Sequence, residues 1–148
     1  MKPLALGSSL VAIVGSVVSL TLPATAINVV YFSDTTQPLN LPTIGGAELR
    51  LTQISLPPGK WIINYSASPV NNTANDIVRC FVRAKETGAI ISGHATTAGV
   101  QPGASFVSTI SGVTVVVLSE PTTMVLTCTH DNTGPAPYID PGAEIAAY

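Results

Sequence analysis

The feature that most constrains this chain is a two-residue apolar rhythm, broken every few positions by turn formers. Ala47, Leu49 and Leu51 alternate with Glu48, Arg50 and Thr52. Trp61, Ile63, Tyr65 and Ala67 alternate with Asn64, Ser66 and Ser68, with Ile62 out of phase. Met124, Leu126 and Cys128 alternate with Thr123, Val125, Thr127 and Thr129. Successive side chains of a strand point to opposite faces, so each run predicts a strand with one buried face. Pro57-Pro58-Gly59, the Asn-rich stretch 69–75, Gly112 and Asp140-Pro141-Gly142 punctuate the runs. Proline fixes φ and glycine admits φ > 0, so these are turns. Segments 93–104, which holds His94, and 130–138 read as loops. The run 113–118 is apolar at nearly every position, as in a strand covered on both faces. Residues 76–84 fit a strand or a helix by periodicity; the β-branched and aromatic content and the strand-like neighbours favour a strand. Eight or nine short strands and no ten-residue helix predict an all-β fold, an antiparallel β-sandwich or barrel.

The first 26 residues do not belong to that pattern. Lys2 is followed by an uncharged stretch from Leu4 to Leu22, then Pro23 and the small-residue site Ala24-Thr25-Ala26. This is the layout of a cleavable export signal, with cleavage after Ala26. The alternative is a retained anchor, since nineteen uncharged residues nearly span a bilayer. The expected organisation is therefore a signal peptide, 1–26, and one domain, 27–148, secreted to the periplasm or the extracellular space with no membrane contact after cleavage.

Charge narrows the partners. The 148-residue chain is only 9% charged. Residues 27–148 carry five basic and eight acidic side chains, a net charge of −3, against fifteen Thr and nine Ser. A nucleic-acid footprint needs clustered Lys and Arg, which this sequence lacks. The two cysteines, Cys80 and Cys128, both fall on predicted inward faces. In an oxidising compartment they are expected to pair as a structural disulfide. There is no Cys-x-x-Cys to suggest redox or metal chemistry.

Several stretches have a familiar look. Leu56-Pro57-Pro58-Gly59-Lys60-Trp61-Ile62-Ile63 resembles the strand, Pro-x-Gly turn, strand opening of small exported bacterial β-sandwich domains. Ile77–Val82, around Cys80, and Val125–Cys128 are similar to their two cysteine strands, and Ile139–Tyr148 to their closing strand. Over residues 45–148 the chain thus resembles tumour-necrosis-factor-like and complement-type jelly rolls. The resemblance implies a jelly-roll sandwich, secretion and homotrimer formation, and it carries no catalytic residues.

Individual residues add candidates. Asp131, Asn132 and Asp140 offer oxygen ligands for calcium, the one cofactor suggested, although no EF-hand spacing is present; Asp and Asn also cap turns. Tyr138, between Pro137 and Ile139, is the aromatic best placed to meet a glycan, since Trp61 and Tyr65 fall on the core face. His94 and His130 lie in expected loops. His130 and Asp131 are adjacent, which points their side chains apart and argues against a hydrolase relay. The function expected is a secreted, non-enzymatic β-sandwich for binding or self-association. A surplus of apolar strand positions, notably 113–118, suggests association. A carbohydrate-binding module and a secreted hydrolase are the alternatives.

Overall fold

The computed structural model describes residues 30–99 and 106–148. Residues 1–29, which include the segment 1–26 expected to be an export signal, and residues 100–105 lie outside the described residues. Twelve strands are found among those described: β1 (Tyr31–Asp34), β2 (Leu39–Asn40), β3 (Leu49–Leu56), β4 (Gly59–Ala67), β5 (Pro69–Asn71), β6 (Asp76–Ala84), β7 (Ile90–Ala98), β8 (Phe106–Val107), β9 (Ile110–Leu118), β10 (Thr122–His130), β11 (Tyr138–Ile139) and β12 (Glu144–Ala147).

The eight longer strands form two antiparallel sheets, ordered β1-β12-β4-β9 and β3-β10-β6-β7. The chain crosses between the sheets at nearly every connection, winding the strands into a jelly roll. Four connections contribute one short strand each, and these pair as a third sheet, β2-β11-β5-β8. The first and last strands are neighbours, with Tyr31 opposite Ala147.

The core lies between the two main sheets. Ile63 of β4, Val78 and Val82 of β6, Leu126 of β10 and Ile145 of β12 are fully buried. Burying such a side chain is worth roughly 1.5–3 kcal/mol, which is why the alternation dictates the faces. Trp61 is half-buried, edge-on to Tyr31 at 5.2 Å, and its Nε1 donates to Pro57 O at 3.0 Å.

Cys80 and Cys128 stand directly opposite each other on β6 and β10 and form the disulfide, so it ties two neighbours within one sheet.

Three local expectations are corrected. In β3 the register against β10 slips by one residue, Leu126 facing Thr52 and Thr127 facing Arg50. This bulge turns Thr52 inward, where it meets Ser33 Oγ at 2.5 Å. The 93–104 loop is instead strand up to Ala98, which puts His94 on β7. Gly112 does not interrupt a strand but lies within β9, opposite Tyr65.

Candidate functional site

The outer face of the β1-β12-β4-β9 sheet is the most unusual surface. β9 is its edge strand, and Val113, Val115 and Val117 point outward with 63%, 55% and 78% of their surface exposed. Among the described residues nothing covers them, whereas the run 113–118 suggested a strand covered on both faces. In register beside them lie exposed Ile62, opposite Val115, and Tyr148, whose backbone pairs with that of Ile62. Phe32 and Val30 of the β1 segment continue the apolar surface. Lys60 stands opposite Val117 at one end, and the pair Asp34 and Glu144 at the other. A monomer seldom leaves so large a contiguous apolar patch in water.

A cleft of about 580 Å³ opens at the polar end of this face. Asn64 and Ser66 of β4, Ser111 and Val113 of β9, Glu144 of β12 and His94 of β7 line it. β7 and β9 are the edge strands of the two layers and meet along one seam. There Tyr65 Oη lies 2.6 Å from His94 Nδ1 and 3.1 Å from Ser92 Oγ. A side chain at position 112 would run into this network, since a Cβ there would stand 2.5 Å from Tyr65 Oη and 2.6 Å from His94 Nδ1. Only glycine leaves the β9 backbone room for the phenol and imidazole. Among the described residues His94 Nε2 and Ser111 Oγ have no protein partner.

A second cluster was placed wrongly by sequence. His130 is not in a loop: it ends β10 and is fully buried. Its Nδ1 lies 2.7 Å from Asp76 Oδ2 and its Nε2 2.5 Å from the Pro42 carbonyl oxygen. Both ring nitrogens are thus held by oxygen atoms of the surrounding chain. Asp76 Oδ1 accepts the amides of Ile77, Asp131 and Asn132. Burial pushes the Asp76 carboxyl up, but the hydrogen bonds from His130 and these three amides outweigh it and hold its pKa below the ordinary value. Every polar atom of the pair is satisfied, so its chemistry is structural: it clamps the segment around Pro42 onto the end of β10.

The calcium candidates are not gathered into one site. Asp131 is ion-paired with Arg79, and Asn132 Nδ2 donates to Asn75 O at 2.9 Å. These two line a small cavity that Asp140 does not line; the Asp140 amide donates to Ser68 O. No cluster of three or more His, Cys, Asp or Glu fit for a metal occurs among the described residues. Tyr138 is half-buried in the short third sheet, between Asn40 and Val70.

No known protein-family model and no curated protein matches the sequence. Solved structures match it in fold. The T13 viral particle of infectious bursal disease virus aligns over 80% of this chain at 10% identity, with a TM-score of 0.56. The Gx strain of that virus and its derived T=1 particles align over the same share at 11% identity, each with a TM-score of 0.50. This chain spans about 30% of the length of those chains. These structures are virus particles, not the exported bacterial domains that the sequence motifs resemble, and what they share with this chain is the β-sandwich.

Proposed function

We propose that the protein is an exported, non-catalytic structural subunit that works by associating with copies of itself. The observation that carries this is the bare apolar face of the β1-β12-β4-β9 sheet. Its seven large side chains expose on the order of 700 Å², close to the roughly 800 Å² per partner of a standard interface. The charges at its ends are complementary: a second copy turned end for end sets Lys60 opposite Asp34 and Glu144. The likeness to particle-forming virus chains supports the same reading, and the 1–26 pattern supports export.

Sedimentation equilibrium at tens of micromolar tests the reading. Reversible association is expected, and a monomer at all concentrations overturns it. The mass also separates an isologous pair, which closes at two copies, from the homotrimer implied by the sequence resemblance, which needs a head-to-tail contact.

A further inference from the structure

We infer that the cleft between β4, β9 and the edge of β7 is a binding site for a neutral polyhydroxylated ligand, a saccharide; Val113 and Glu144 of its lining, and Tyr148 beside it, also belong to the face proposed above to self-associate. The lining sets the ligand class. It presents an amide (Asn64), two hydroxyls (Ser66 and Ser111), a carboxylate (Glu144) and an imidazole (His94), and no Lys or Arg. With no Lys or Arg and with the Glu144 carboxylate in its lining, it disfavours a phosphate or sulfate. One carboxylate is too few for a calcium ion, which takes six to eight oxygens. What remains is a mixture of donors and acceptors, the Glu144 carboxylate accepting and the Asn64 amide and the two serine hydroxyls offering both, which matches vicinal hydroxyls, each of which donates and accepts.

The site is prearranged. Tyr65 Oη, held from below by Ser92 Oγ, engages His94 Nδ1 and so fixes the ring. That leaves His94 Nε2 for a ligand hydroxyl. Glu144 Oε1 accepts from Ser66 Oγ at 3.3 Å, which orients the carboxylate. Asn64 Nδ2 donates to Tyr148 Oη at 2.9 Å, leaving Asn64 Oδ1 as an acceptor and anchoring an exposed aromatic ring next to the cleft. Val113 and Tyr148 supply the apolar surface that the C–H face of a sugar ring requires. The volume of about 580 Å³ lies in the range of small-molecule sites. The saccharide site is thus set at this seam and not at Tyr138.

The test is a titration of isotope-labelled protein with methyl glycosides of hexoses, 6-deoxyhexoses and N-acetylhexosamines, with inorganic phosphate alongside, followed by amide chemical shifts. Saturable shifts at Asn64, Ser66, Ser111 and Gly112 are expected for at least one glycoside and none for phosphate. Asn64→Ala and Glu144→Gln are each expected to weaken binding about tenfold, the loss of one ligand hydrogen bond. The same titration on Val117→Lys, which disrupts the association face at the end away from the cleft, is expected to keep the saturable shifts with an affinity no weaker than that of the native protein. No saturable shift with any glycoside, shifts centred on Tyr138, or binding indifferent to both cleft variants would each overturn the proposal.

Discussion

The two layers of the sandwich treat their outer faces in opposite ways. On β3-β10-β6-β7 the centre of the surface is closed by the chain itself, with Ile77 and Ile90 exposed only near strand ends. Arg83 Nε donates to Glu48 Oε2 at 2.9 Å, its guanidinium lies 5.0 Å above the Phe81 ring, and Thr127 Oγ1 donates to the same carboxylate at 3.0 Å. Beneath these long side chains the outward residues Val125, Thr127 and Thr129 of the central strand are buried. On β1-β12-β4-β9 the outward residues from Val30 and Phe32 through Tyr148 and Ile62 to Val113, Val115 and Val117 are apolar and exposed, and no side chain of comparable reach covers them among the described residues. A sheet's outer face can be sealed by its own Arg and Glu stems or by another molecule. This chain does the first on one layer and leaves the second open on the other.

The contrast can be broken from the sealed side first. Replacing both Cys80 and Cys128 by Ala frees a loop of 48 residues' separation and is expected to cost about 4 kcal/mol in urea denaturation under oxidising conditions. Asp76→Ala leaves a buried imidazole and three amides without their acceptor, for an expected loss of about 3 kcal/mol. The native Asp76 pKa is lowered, so its stabilising contribution is complete above the ordinary value of 3.8 and is lost as the pH falls through the lowered one. Denaturation midpoints measured down through that range should therefore fall for the native protein and flatten for Asp76→Asn.

Smaller effects sharpen the comparison. Arg83→Ala removes a partly exposed ion pair together with the cover over Phe81, and a loss of about 1 kcal/mol in the same measurement is expected. On the open side, Val117→Lys is expected to change monomer stability by less than about 0.5 kcal/mol while abolishing association in the ultracentrifuge. If Val117→Lys instead destabilised the fold, the outer valines would belong to the core and the contrast between the layers would fail.

What could be read from the sequence follows from the range of the interactions. The strand β4 announces itself because its alternation is a local property; β6, whose periodicity also fits a helix, is settled by its β-branched and aromatic content, and its Val78, Cys80 and Val82 point inward. The inversion at Thr52 was not legible, because a bulge is a property of two strands and leaves no mark on one. β7 was cut short at Ser92 because its outer part carries Gly93, His94 and Thr96 in place of apolar residues; Gly93 packs beneath Phe81, where a Cβ would meet the ring at 2.4 Å. The Asp76–His130 clamp joins residues 54 positions apart, and the one sequence hint is a histidine at the end of an alternating strand. The cleft joins three strands from two layers, so its members could be named in advance but not assembled.

The pairing of β1 with β12 has a mechanical consequence. Tyr31 opposes Ala147, so the chain enters and leaves the domain side by side. Tension applied to the two ends would unzip that antiparallel pair one hydrogen bond at a time, the weakest way to load a sheet. The sulfur bridge, set in the other layer between β6 and β10, would bear none of the pull until the first layer had come apart.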